Sequence, residues 1–283
     1  MNNKLQNIKL VACDVDGTLL HFNGISQRSA DAIRRTLDMG IPVTLATGRE
    51  YDSASQIQSH LGLEGPLVCN NGSLVRDRET IYFSAALPAN FSQIVYQFAR
   101  DNGLVVMFFT DDAVYMPKQN IENEEHFASD FGSGSFDSQS FFVLDHPDEI
   151  EEKLRLPHNK ICFFSKDTAH LKHARQSLAA RIQNSPFHSD CAITSSYWNN
   201  IELMPINITK GTGIRALAKY HGISTDEIMV FGDNENDLEM FKSVQHSFAM
   251  GNAPQYVKDV ARHVTDTVEN GGVGIALEKY LLP

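Results

Sequence analysis

Three short apolar runs, residues 8–13, 41–46 and 66–69, are separated by stretches whose apolar positions recur at helical spacing. Between the first two runs, Ser26 is placed to cap a helix carrying Ala30, Ile33 and Leu37 on one face, and Gly40 to end it. Residues 51–61 read as the next helix. Strand and helix in regular alternation leave a parallel sheet with right-handed crossovers as the architecture. In such open sheets ligands bind outside the carboxyl ends of the strands, so the residues following each apolar run carry the chemical interest.

The rhythm changes between residues 87 and 197. Helix patterns at 91–100, 147–154 and 168–182 alternate with strand patterns at 104–109, 113–116, 141–144 and 160–164, and with short ones near 187 and 192–195. A loop rich in Ser, Gly and Asp covers 129–140. The core pattern resumes with a strand at 201–204, a helix from Lys210 to about Tyr220, strands at 227–231 and 247–250, and further helices after Gly232, Pro254 and Gly271. The expected fold is α/β: a Rossmann-like parallel-sheet core from residues 1–86 and 198–283, with an α+β cap inserted at 87–197.

Directly behind the first apolar run stands Asp14-Val15-Asp16-Gly17-Thr18. Residues i and i+2 of an extended chain point to the same side, so both carboxylates can face one substrate; an ordinary Asp-Gly turn is the bland alternative. Thr47-Gly48-Arg49 follows the second run, Lys210-Gly211 opens a helix, and Gly232-Asp233-Asn234-Glu235-Asn236-Asp237 follows a strand. In this order and with these flanks, the four segments resemble the motifs of the haloacid dehalogenase superfamily of phosphohydrolases, most closely its Cof-like branch with a large α/β cap. The motif-bearing resemblance covers residues 8–84 and 200–275; the middle matches by length and pattern. Where the family often has Gly, this chain has Asn207.

The resemblance implies hydrolysis of a small phosphate monoester, with sugar phosphates the leading class. Asp14 becomes the nucleophile that forms an aspartyl phosphate, and Asp16 the general acid and base. Thr47, by its hydroxyl, and Gly48, by its backbone N–H, suit the transferring oxygens, while Lys210 offsets charge between Asp14 and the phosphate. Val15, Arg49 and Asn236 fall around the phosphate, Asn236 as the residue that hydrogen-bonds it in relatives. Asp14, Asp16 through its main-chain oxygen, Asp233 and Asp237 supply the hard oxygen ligands expected for Mg²⁺. Two other readings stay open: a phosphomutase that returns the phosphoryl group to a sugar, and a non-catalytic binder of a phosphorylated metabolite.

Composition narrows the partners. With 35 acidic against 24 basic residues and a net charge of −11, the chain has no basic surface for nucleic acid, although a local cluster can hold a small phosphate because screening confines the far field to about 8–10 Å. No eighteen apolar residues run together and no secretory leader pattern is present, so a cytoplasmic protein without membrane spans is expected. Cys13, Cys69, Cys162 and Cys191 show no CxxC spacing and are expected as buried free thiols. The histidines form no ligand pattern, which argues against zinc. The P-loop signature is absent, so Lys210-Gly211-Thr212-Gly213 is not a nucleotide loop.

Overall fold

The computed structural model describes residues 4–88, 90–118 and 139–283. Its strands are β1 (Leu10–Cys13), β2 (Leu20–His21), β3 (Gly24–Ile25), β4 (Val43–Leu45), β5 (Leu67–Cys69), β6 (Leu74–Arg76), β7 (Ile81–Ser84) and β8 (Val105–Phe109). There follow β9 (Val114–Pro117), β10 (Phe141–Leu144), β11 (Lys160–Phe164), β12 (Cys191–Thr194), β13 (Asn200–Pro205), β14 (Ile228–Gly232), β15 (His246–Ala249) and β16 (His263–Val264). The chain divides into two compact units. The first holds the residues up to Gly48, Ala54–Phe83 and Thr209–Pro283; the second holds Arg49–Ser53 and Ser84–Ile208.

In the first unit the sheet runs β16-β15-β14-β1-β4, every pair parallel. β1 and β14 are buried along their whole length, as expected of strands covered on both faces, which is why they read as unbroken apolar runs. A parallel bridge from Ala46 to Val68 joins β4 to β5, which turns back through β6 and β7. From β1 the chain crosses to β4 on one side, while β14 lies on the other. The switch point of the sheet therefore falls between β1 and β14, where Asp14 and Asp233 emerge. Helix Gln27–Asp38 begins where expected: Ser26 Oγ accepts from Ser29 N at 3.2 Å, and Gly40 follows its end at φ 76°. All four cysteines are buried and free.

The second unit is a six-stranded sheet of order β10-β9-β8-β11-β13-β12, with helices Phe91–Asp101, Pro147–Leu154 and Thr168–Gln183. Alternate residues of its strands enter different clusters. Val106, Phe108, Ile161, Phe163, Ile201 and Leu203 pack with the helices, whereas Met107, Phe109, Cys162 and Phe164 form a separate apolar group. Beside that group the buried Lys160 ammonium lies 3.6 Å from Glu202 and 4.1 Å from the Phe109 ring centre.

One strand differs from expectation. Residues 201–204, read as the return to the core sheet, lie in β13, which pairs antiparallel with β11 and β12 of the second unit. Apolar content does not say which sheet a strand joins. The connection decides it here: Asn200 Oδ1 accepts from the backbone N–H of Ser196 and Tyr197 and so closes a tight turn after β12. The core therefore resumes near Thr209 rather than at residue 198. The short strand expected near residue 187 is a turn, and the loop expected over 129–140 falls, apart from its last two residues, outside the described residues.

Candidate active site

β1 delivers Asp14 to the end of the sheet, where its N–H donates to the Phe231 carbonyl of β14 at 2.9 Å. Its side chain is buried, and Lys210 Nζ donates to its Oδ1 at 2.6 Å. Lys210 opens the Lys210–His221 helix, whose start is set by a reciprocal cap between Thr209 and Thr212. The lysine is completely buried and also donates to Asp237 Oδ1 at 2.7 Å. Burial alone would lower its pKa, but the charges and hydrogen bonds of Asp14 and Asp237 outweigh that and hold it above the ordinary value.

Asp237 is also completely buried, so it is not a helix-surface acid. The chain after β14 forms a single 3-10 turn, Glu235–Asp237, and the Asp237 carboxylate folds back so that its Oδ2 accepts from Asp233 N at 2.8 Å and Asn234 N at 3.0 Å. Gly232 makes this possible, since a Cβ there would overlap the Asp237 carboxylate. With Oδ1 on Lys210 and Oδ2 on two backbone amides, Asp237 acts as a brace for the loop and the lysine.

Asp233 is half-buried and accepts from Thr18 Oγ1 at 3.0 Å. Gly17, at φ 82°, lies so close that a Cβ would overlap the Asp233 carboxylate, and its own carbonyl accepts from Asn252 Nδ2 at 2.9 Å. Burial, reinforced by the charge of Asp237, pushes the Asp233 carboxyl up to about 7, against the hydrogen bond from Thr18 and the charge of Lys210. Burial likewise raises Asp14 well above the usual carboxylate range, although Lys210 opposes it.

Asp14, Asp233 and Asp237 can bring one oxygen each to within 4.8 Å of one another. Against three carboxylates stands the single ammonium of Lys210, so full ionisation leaves two negative charges without a counter-charge inside this cluster. An all-oxygen donor set with that deficit fits a hard divalent cation.

Asp16 is exposed although Asp14 is buried. The same-side expectation assumed an extended chain, and the structure bends instead at Val15, whose carbonyl accepts from Thr18, Leu19 and Leu20. Thr47 is completely buried at the end of β4, with its N–H on the Val68 carbonyl at 2.8 Å and its own carbonyl accepting from Asn71 N at 2.9 Å. Gly48 follows it, half-buried. Arg49 groups with the second unit, where Nη1 donates to Ser53 Oγ at 3.0 Å. Asn236 donates through Nδ2 to Asn71 Oδ1 at 2.9 Å. Asn207, where the family pattern often has Gly, adopts φ 60°, a left-handed conformation that Asn tolerates. Thr18, Asn71 and Asn252 join these contacts without a motif that assigns them a role. Thr18 follows the Asp-Gly turn, and Asn71 and Asn252 lie just past the ends of β5 and β15, the positions at which ligand sites of such sheets form.

The sequence pattern of one family, described as haloacid dehalogenase-like hydrolase, matches residues 11–277. The chain belongs to that family. Similar proteins include a 5-amino-6-(5-phospho-D-ribitylamino)uracil phosphatase of Bacillus subtilis, 29% identical over 97% of this chain and 98% of the relative. An HMP-PP phosphatase of Serratia proteamaculans is 28% identical over 89% of this chain and 87% of its own length. A solved haloacid dehalogenase-like hydrolase from B. subtilis superposes with a TM-score of 0.81 at 25% identity, covering 96% of this chain and all of that one. The family is one of hydrolases, and both of these relatives are named as phosphatases.

Proposed function

We propose that the protein hydrolyses a small phosphate monoester, with Mg²⁺ as cofactor, through a phosphorylated Asp14. The supporting observation is the Asp14–Lys210 pair at the switch point of the sheet: a buried carboxylate at a strand end, held by a buried ammonium 2.6 Å away. An Asp14 oxygen attacks phosphorus, a P–O bond to aspartate forms, and the ester P–O bond breaks with its electron pair on the leaving oxygen. Asp16, exposed beside Asp14, gives that oxygen a proton. In the second half Asp16 takes the proton of the attacking water, and the bond between phosphorus and Asp14 breaks to release inorganic phosphate. Splitting the displacement in two avoids direct attack by water on the ester, a reaction so slow that accelerations up to about 10²¹-fold are known for it.

Lys210 opposes the rise that burial imposes on the Asp14 carboxyl and is itself held by Asp237. Asp14 and Asp233, with the main-chain oxygen of Asp16, would hold Mg²⁺. Bound there, the ion supplies the positive charge that lets a carboxylate approach a phosphate dianion. Thr47, Gly48, Val15 and Asn236 are assigned to the phosphate oxygens, Arg49 to the substrate, and the second unit to selection of the leaving group. The B. subtilis and Serratia relatives are named for phosphorylated small metabolites, which favours that substrate class and favours hydrolysis over phosphoryl return to a sugar.

The test is phosphate release from p-nitrophenyl phosphate and a panel of sugar, sugar-alcohol and cofactor phosphates, with and without Mg²⁺. Metal-dependent turnover that disappears in Asp14→Asn is the expected result. Turnover surviving in Asp14→Asn refutes the nucleophile assignment, and activation only by a sugar bisphosphate, without phosphate release, indicates a mutase.

A further inference from the structure

Asn71 is 2% exposed and held in the left-handed region at φ 55°, ψ 32°, a conformation open to Asn and Gly and strained for most other residues. From there it touches the segments bearing Thr47 and Asn236. Its backbone N–H donates to the Thr47 carbonyl at 2.9 Å, and its side-chain Oδ1 accepts from Asn236 Nδ2 at 2.9 Å. The next residue reaches a third segment: Gly72, at φ 90°, lies so close to the Thr209 carbonyl, just before Lys210, that a Cβ would overlap it. One three-residue corner thus meets the chain segments bearing Thr47, Lys210 and Asn236.

The side-chain contact has a chemical consequence. An anion requires the NH₂ end of the Asn236 amide, because the carbonyl end would repel it. The Asn236 Oδ1 is buried without a partner among the described residues, so that amide gains nothing on its carbonyl side to hold its orientation. Asn71 Oδ1 takes one hydrogen of the NH₂ group and leaves the second for an oxygen of the ligand. Turning the Asn236 amide over would set two carbonyl oxygens against each other and present an acceptor to the anion.

We propose that Asn71 is a positioning residue that fixes the donor end of the Asn236 amide toward the phosphate. This rests on the phosphatase reading above, and the experiment separates the two. Asn71→Gly is the informative variant, because Gly keeps both the left-handed backbone and the N–H to Thr47 while deleting the side-chain amide that holds Asn236. It is compared with Asn236→Ala and with the double variant in the full-length Mg²⁺-loaded enzyme. The readouts are kcat and KM for p-nitrophenyl phosphate, the inhibition constant of inorganic phosphate, and the thermal midpoint as a check on folding.

Loss of one hydrogen bond to a charged ligand predicts roughly a 10- to 100-fold rise in the phosphate inhibition constant for Asn236→Ala. Asn71→Gly should weaken phosphate by at least about 5-fold, and the double variant should fall within about 2-fold of Asn236→Ala, because the second change removes nothing further. Losses that multiply, or an Asn71→Gly enzyme that binds phosphate as the wild type does, overturn the proposal. A wild-type protein that neither turns over the ester nor binds phosphate overturns the phosphatase reading itself.

Discussion

Lys210 and Asp237 are both completely buried and joined at 2.7 Å, and the same ammonium reaches Asp14 at 2.6 Å, so one lysine divides its charge between two carboxylates. Removing one partner of a buried ionic cluster is costlier than the cluster's net worth, because the others are left without compensation. Lys210→Met should cost about 3–5 kcal/mol at pH 7 and lower kcat by about 10²-fold or more. Urea denaturation should show the stability loss shrinking as pH is lowered, because burial favours the neutral form of Asp14. An unchanged midpoint would mean that the pair carries no stabilising weight.

Asp16, exposed at the chain bend two residues beyond Asp14, is the residue to which the proposed mechanism gives the proton transfer. General acid catalysis is worth about 10²–10⁴-fold where the leaving oxygen is basic, and little where it is not. Asp16→Asn should therefore reduce kcat for a sugar-alcohol phosphate far more than kcat for p-nitrophenyl phosphate. Equal reductions on the two esters would remove Asp16 from this role.

Asp14 and Asp233 could be read from the sequence because each ends an unbroken apolar strand, and a buried parallel strand delivers its next residue to one edge of the sheet. The Lys210 helix was legible through its start signal at Thr209. Three features were not. The sheet to which residues 201–204 belong depends on the turn closed by Asn200, and an apolar run looks the same in either sheet. The burial of Asp237 depends on a single 3-10 turn that folds its carboxylate back onto Asp233 N, a fold that no spacing in the sequence announces. The pairing of Asn71 with Asn236 joins positions 165 residues apart, and no local pattern encodes that.

In the second unit, His158 is 1% exposed, with Nδ1 2.7 Å from Ser92 Oγ and Nε2 buried without a partner among the described residues. Burial lowers its pKa from 6.5 to about 4. Between these values the unfolded chain binds a proton that the folded protein does not. The stability His158 contributes is therefore complete above pH 6.5 and is lost as pH falls toward 4. A shift of this size corresponds to about 3 kcal/mol. His158→Gln should flatten the fall in stability of the second unit between pH 6.5 and 4, measured by denaturant titration at several pH values. An equal slope in variant and wild type would show that other groups carry the acid sensitivity.

Asp233 sets function against stability. With burial and the charge of Asp237 holding its carboxyl near pKa 7, well above the unfolded value of 3.8, the metal-free folded state binds a proton that the unfolded chain releases. Its stabilising effect is present below about pH 3.8 and lost as pH rises to 7, so at pH 8 the ionised side chain opposes folding. Asp233→Asn keeps an acceptor for Thr18 Oγ1 and removes the charge. In the presence of a chelator at pH 8 this variant should be more stable than wild type by about 1 kcal/mol, a rise in thermal midpoint of roughly 2–4 °C. Added Mg²⁺ should reverse the order: the wild type gains stability by binding the ion, while the variant gains little and turns over slowly. A variant less stable than wild type without metal, or one stabilised equally by Mg²⁺, would show that Asp233 is not the carboxylate waiting for a cation.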